Sequence, residues 1–370
     1  MGGNAFPETS RLTRAEFLRV SSAVRAALEN AGLVVRQPPE VSDKADFGDV
    51  DFYVSADSAE VLRNLLPAMK SAVVEAVGGD VQHAGIVRCG RTVSFLTKER
   101  YQVDVALIHD PDLLPLVTSV KSNGDFVWLL QKSLSVYNLL LSDKGLFLVD
   151  STVAVRLSGE MNELDDGVSN IQLSKKDGSF LLSIDPVMIA EFVGLPPRAF
   201  DGCTPLSSIE MFDIVHRARY FHPKALQSWS EQKSSDMRRR MRRRPLIVQY
   251  IQYVSQEATH PPYDAYGIEQ VKQMALNHFD KQDSYARHLS LIRQRAMDDR
   301  ARQLCKPYIN GPLLQQWIPG LKGADVGRVL QATREAHGPD WPRFHAWLRA
   351  QTADAIRQAA VEIAYKTVDQ

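Results

Sequence analysis

Cysteine is scarce in this chain: three in 370 residues, Cys89, Cys203 and Cys305, far apart. They form no zinc spacing and no disulfide framework, which fits a reducing compartment. Net charge is absent, with 44 Lys and Arg against 44 Asp and Glu. Any affinity for nucleic acid must therefore come from local patches. No apolar run approaches the roughly 20 residues that cross a bilayer, so no membrane partner is expected. The N-terminus lacks a basic region followed by an apolar block, so a secretory signal is not expected either. Met1-Gly2 begins like a myristoylation signal, but Phe6 stands where that pattern wants Ser or Thr. The expected location is intracellular, cytoplasmic or nuclear. The histidines, among them His216, His222, His260, His278, His288, His337 and His345, show no ligand spacing, and His109-Asp110 has no matching partners for a phosphohydrolase site. Signatures for Ser/His/Asp or Cys/His catalysis are missing, as is any fixed-period repeat.

What is present centres on Asp46-Phe47-Gly48-Asp49-Val50-Asp51-Phe52-Tyr53-Val54. This stretch reads as a β-strand rooted in a core through Val50, Phe52 and Val54. Side chains two apart share a strand face, so Asp49 and Asp51 point the same way, and Gly48 keeps the approach open. Two carboxylates so placed form a site for a hard divalent cation such as Mg²⁺ (or Mn²⁺). A third acid, Asp104, lies in the apolar strand Tyr101–Ile108, where an unpaired carboxylate is costly. Asp46 reads as a turn cap rather than a ligand.

An Asp-x-Asp strand followed by a third Asp on a neighbouring strand resembles the nucleotidyltransferase superfamily of DNA polymerase β, poly(A) polymerase and CCA-adding enzymes. The resemblance implies a metal-dependent enzyme that transfers NMP from an NTP to an acceptor hydroxyl, with Asp49, Asp51 and Asp104 as metal ligands and catalytic residues. That superfamily also carries a Gly-Gly or Gly-Ser turn before the acid pair. Here the corresponding window is Pro38-Pro39-Glu40-Val41-Ser42-Asp43-Lys44, with no Gly pair. Either Gly2-Gly3 folds back to the site, or Ser42-Asp43-Lys44 holds the triphosphate beside Gly48. A helix after the third acid supplies Lys or Ser to the triphosphate in these families, and Lys132 and Ser133 stand where that helix is expected.

Elements follow from periodicity. Leu12–Asn30 reads as a helix with Thr13 and Glu16 as a capping box and Phe17, Val20, Val24, Ala27 and Leu28 as its apolar stripe. Leu33–Val35 is a short strand, 56–77 an amphipathic helix, 86–96 and 101–108 strands, and 126–141 an apolar helix. Short strands are expected near 147–149, 153–155 and 180–182. From Ser207 the pattern is almost wholly helical: 207–219, 224–256, 265–303, 311–318, 324–337 and 341–366. The fold class is α+β: a palm-like α/β domain with a mixed sheet, then a mainly α-helical C-terminal domain. The expected division is 1–145 catalytic, 146–206 a β-rich extension or bridging lobe, and 207–370 helical, binding the acceptor. Within that last part, Ile309–Leu314, Ile318-Pro319-Gly320 and Gly323–Leu330 are loosely similar to the C-terminal helical body of CCA-adding and bacterial poly(A)-adding enzymes. Trp341, Phe344 and Trp347 read as core rather than base-stacking platforms.

The densest charge is Arg238, Arg239, Arg240, Arg242, Arg243 and Arg244. Six arginines within two helical turns repel one another, which favours a bound polyanion or nearby acids. An RNA-backbone contact is one reading, a nuclear-localisation signal another, and a solvated helix face paired with acids the third. The favoured acceptor is an RNA 3′ end. A protein or small-molecule acceptor is the first rival, and a catalytically silent RNA-binding or scaffold protein the second.

Overall fold

The computed structural model describes residues 5–55, 67, 71, 73, 74, 76, 86–156, 168–222, 225, 244–256 and 266–368. In chain order the strands are β1 (Leu12–Thr13), β2 (Val34–Arg36), β3 (Asp46–Phe47), β4 (Asp49–Ser55), β5 (Ile86–Cys89), β6 (Thr92–Leu96), β7 (Gln102–Leu107), β8 (Leu139–Ser142), β9 (Gly145–Val149), β10 (Thr152–Arg156), β11 (Val168–Gln172) and β12 (Ser179–Ser183). The helices are α1 (Arg14–Asn30), α2 (Leu114–Lys121), α3 (Phe126–Leu134), α4 (Pro186–Val193), α5 (Ser208–Arg217), α6 (Pro245–Gln256), α7 (Ile268–His278), α8 (Gln282–Cys305), α9 (Gly311–Trp317), α10 (Gly323–His337), α11 (Trp341–Ala350) and α12 (Ala353–Val368). The class is α+β, as expected. Among the described residues no helix is long and apolar enough to cross a membrane.

Two compact units emerge, one of 1–148 with 181–280, the other of 149–180 with 281–370. This differs from the expected three-part division. Residues 146–206 are no lobe of their own, and the helices of 207–280 belong with the acid-bearing sheet. Local periodicity has no access to this, because which elements share a core depends on contacts between distant segments.

The first unit is built on a five-stranded sheet of order β2-β4-β7-β6-β5. Only β4 and β7 run parallel; the other three pairings are antiparallel. The sheet's core face carries Val50, Phe52 and Val54 from β4, Val103 and Val105 from β7, and Val93 and Phe95 from β6, all buried. Against them lies the stripe Phe17, Val20, Val24 and Leu28 of α1. Helix α1 starts as its sequence dictates. Thr13 accepts the Glu16 N–H, and the Glu16 carboxylate accepts the Thr13 N–H at 2.7 Å, a complete capping box. Of the helix expected over 56–77, the described residues 67, 71, 73, 74 and 76 are helical, and Val73 and Val74 join this core.

Four expected elements break where backbone chemistry interrupts the periodicity. Residues 86–96 form a hairpin, β5 and β6, turning at Gly90, whose φ of 59° suits glycine. The helix from Phe126 ends at Leu134; a 3-10 turn follows, Asn138 takes the left-handed conformation, and β8 begins. The segment 265–303 divides at Asp280, also left-handed at φ 52°. Residues 341–366 divide between Ala350 and Ala353, where Thr352 accepts the Ala355 N–H at 3.3 Å and starts α12. Strand β11 was not expected; it pairs with β10 antiparallel.

In the second unit α9 to α12 share a core of Leu314, Val329, Phe344, Leu348, Ile356 and Ala360. Trp341 and Trp347 pack against it, so the core reading of that aromatic trio holds. Asn310 caps α9 by accepting the Leu313 N–H at 2.9 Å, and Gly320 at φ 91° closes the break before α10.

Candidate metal centre

Strand register brings the three acids together. In the parallel ladder Asp51 lies opposite Asp104 and Asp49 opposite Gln102. All four project from the sheet face opposite the apolar core, because alternate residues of each strand are the buried Val50, Phe52, Val103 and Val105. One carboxylate oxygen from each of Asp49, Asp51 and Asp104 lies within 4.8 Å of the others, and all three side chains are half-buried. Like charges directly opposite on adjacent strands destabilise a sheet. An arrangement of this kind persists when something positive or a proton offsets the repulsion.

The protonation energetics reflect this. Burial, then Asp49, then Asp104, push the Asp51 carboxyl up to about 8. Burial also raises Asp104, against the pull of hydrogen bonds from Ser94 and Gln102. Ser94 sits opposite Asp104 on β6. The Gln102 carboxamide donates through Nε2 to both Asp104 oxygens, each at 2.9 Å. Three half-buried carboxylates, one of them inclined to hold a proton, match the all-oxygen donor set that a hard divalent cation takes.

Asp49 and Asp51, with Tyr53, open from β4 onto a cleft of ≈ 1310 Å³; Asp104 and Gln102 are not among its lining residues. Its other walls come from the 37–48 loop, from α3 through Val127, Trp128 and Gln131, and from α5 and α6 through Phe212, Gln249, Gln252 and Tyr253. Such a volume exceeds what a typical small-molecule site needs. Among the described residues four cations line the cleft, and three of them, all but the exposed Lys121, are each engaged by an acid. Arg11 makes a two-pronged pair with Asp46 at 2.7 Å for both contacts. Lys44 Nζ lies 2.6 Å from the Glu40 carboxylate. Arg244 is paired with Asp125.

The expected phosphate-binding residues are dispersed. Gly48 lines the cleft beside Asp49. Lys44 lines it too, though with its charge spent on Glu40 and its ammonium 5.1 Å over the Phe47 ring. Ser42 is not part of the wall; its N–H donates to the Leu206 carbonyl at 2.8 Å and its carbonyl accepts from Arg14 at 2.6 Å. Ser133 is buried and accepts the His222 N–H at 3.0 Å, so the structure does not bring it to the cleft. Lys132 lies outside the lining residues, with its ammonium 4.7 Å over the Trp128 ring. The face of α3 that meets the cleft bears Val127, Trp128 and Gln131; Lys132 stands at its edge, one turn on from Trp128, and Ser133 lies on the far side. Asp46 is held by Arg11 across the β1–β3 pairing rather than capping a turn.

Gly2-Gly3 and Arg238, Arg239, Arg240, Arg242 and Arg243 lie outside the described residues. Arg244, the last of that run, does reach the cleft wall. Reading the sequence alone missed Gln102, Arg11, Trp128 and Asp125. Gln102 had a signal, since it stands two residues before Asp104 on one strand and so shares its face. The Arg11–Asp46 and Arg244–Asp125 pairs had none, being 35 and 119 residues apart. Compared with known proteins, the chain matches no family model and no curated protein.

Proposed function

We propose that this protein is a metal-dependent nucleotidyltransferase that moves NMP from an NTP to an acceptor hydroxyl. The observation that carries the reading is the convergence of Asp49, Asp51 and Asp104 from parallel neighbouring strands, with Asp49 and Asp51 on one wall of a large cleft. Bound there, divalent cations would supply charge neutralisation for a triphosphate and polarisation of the attacking hydroxyl. The chain's own contribution is positioning. Asp49 and Asp51 from one rigid strand, and Asp104 from the next, fix three oxygen donors before any ligand arrives, so no reorganisation is needed at the moment of reaction. The core beneath β4 and β7 keeps these strands from moving apart.

Among acceptors, an RNA 3′ end is favoured by the arginine-rich stretch that runs into the cleft-lining Arg244. A second reading, with a protein or small molecule as acceptor, has one observation in its favour: three of the four described cations lining the cleft, Arg11, Lys44 and Arg244, already have acidic partners and offer little to a polyanion. Incubation with each labelled NTP and Mg²⁺ or Mn²⁺, in parallel with an RNA pool and a protein pool, tests both. Label entering RNA supports the first reading and label entering protein the second. No transfer to any acceptor, together with no NTP binding, means a silent scaffold and overturns the proposal.

A further inference from the structure

Four side chains on one face of the β4–β7 ladder form a square, with carboxylates at three corners and the Gln102 carboxamide at the fourth. Gln102 is 2% exposed, so both ends of its amide must find partners. They do. Nε2 donates to Oδ1 and Oδ2 of Asp104 at 2.9 Å each, and Oε1 accepts the main-chain N–H of Ala5 at 3.0 Å. The Ala5 contact decides which way the amide faces, because an N–H can be met only by the oxygen, which leaves the NH₂ group for Asp104.

Residues 5–10 are anchored independently. The Arg100 guanidinium donates to the Glu8 carbonyl at 2.8 Å and to its carboxylate at 3.0 Å, and the Ser10 N–H donates to the Arg100 carbonyl at 2.8 Å. The N-terminal arm is thus laid beside the start of β7 and joined to the third carboxylate through one side chain.

We propose that Gln102 is a positioning residue for Asp104, and that the N-terminal arm, through the Ala5 N–H, sets the orientation in which Gln102 does this. The inference rests on the metal-site reading above. A donor bound to both oxygens holds the carboxylate plane and leaves the remaining lone pairs for a cation shared with Asp49 and Asp51. Removing a partner that orients a metal-binding carboxylate weakens metal affinity by roughly 10–100-fold. A carboxylate at this corner would instead add a fourth like charge.

The test is Mn²⁺ titration of the full-length protein, followed by electron paramagnetic resonance of the free ion, with thermal melting as a check on folding. Gln102→Leu removes the amide, and Mn²⁺ affinity is expected to fall about 10-fold or more. Ala5→Pro removes the N–H donor without touching the sheet, and affinity is expected to fall by a smaller factor in the same direction. This second variant keeps the inference testable if Gln102→Leu does not fold. Gln102→Glu replaces the donor by a fourth carboxylate and is expected to weaken Mn²⁺ binding at neutral pH. A wild-type protein that binds no Mn²⁺ defeats the metal-site reading itself. Wild-type binding with unchanged affinity in a folded Gln102→Leu protein, or in Ala5→Pro when the former is unfolded, overturns the positioning role alone.

Discussion

Replacing Asp51 with Asn makes the sharpest use of the site's electrostatics. The substitution is nearly isosteric and deletes only the ionisable group. In the metal-free protein the Asp51 carboxyl is raised from 3.8 to about 8 by burial and by Asp49 and Asp104. Below pH 4 both folded and unfolded chains hold the proton, so the group does not affect stability. Between pH 4 and pH 8 the unfolded chain releases it and the folded chain keeps it. Stability therefore falls as pH rises through that window and levels off above it. At about 1.4 kcal/mol per pH unit the full interval sets a ceiling of ~5–6 kcal/mol. The side chain still borders an open cleft, where water and side-chain rotation relieve part of the strain, so ~1–3 kcal/mol at pH 8 is the expected gain for Asp51→Asn. For a unit of this size that is about 3–10 °C in melting temperature. The assay is thermal melting in EDTA from pH 4 to pH 8.5, repeated with Mg²⁺. Wild type and variant should match at pH 4 and diverge toward pH 8, and added Mg²⁺ should raise the wild type while leaving the variant nearly unmoved. Superimposable pH curves, or a variant less stable at pH 8, would refute the claim that repulsion is stored in this carboxylate cluster.

Other outcomes follow from the same geometry. Phe52→Ala empties a fully buried position on the strand that carries two of the acids, and should cost about 3–5 kcal/mol in denaturant unfolding. Asp125→Ala leaves Arg244 on the cleft wall without the acid that holds it, and should cost about 1–2 kcal/mol while increasing the salt dependence of any polyanion binding, both measurable by melting and by titration with RNA. Gly145→Ala should destabilise the first unit by about 1–3 kcal/mol, since Gly145 has φ 138° and an added Cβ would lie 2.8 Å from the Ser183 carbonyl oxygen. The cap of α1 should weaken in acid. Hydrogen bonds from Tyr101 and Thr13 lower Glu16 to about 2, so its contribution is intact above pH 4.5 and is lost as pH falls toward 2, which amide exchange in Arg14–Asn30 will report.

Much of the acid-bearing sheet was legible because its signals are local. Period-two alternation in Asp49–Val54 and Tyr101–Ile108 determines which side chains share a face, and the polar residues in those strands stand out against Val50, Phe52, Val103 and Val105. The Thr13–Glu16 capping box likewise acts within one helical turn. The misreadings come from two physical sources. Breaks at Gly90, Asn138 and Asp280 depend on single residues in the left-handed conformation, which hydrophobic periodicity does not register. The composition of the cleft depends on contacts across the chain: Asp43 accepts from the Ser208 N–H and hydroxyl, 165 residues away, and so joins the Ser42–Lys44 loop to α5 rather than leaving it free for a triphosphate. Where Lys132 and Ser133 face is equally a matter of distant contacts: Ser133 accepts the His222 N–H, 89 residues away, while Lys132 lies over the Trp128 ring.

The account stands or falls on whether an acid from β7 acts together with two from β4. Calorimetric titration of the metal-free protein with Mg²⁺, for wild type and Asp104→Ala side by side, addresses that directly. Saturable binding by the wild type that is lost or weakened at least 10-fold in a folded Asp104→Ala protein is the predicted result. Equal binding by both, or none by the wild type, would contradict it.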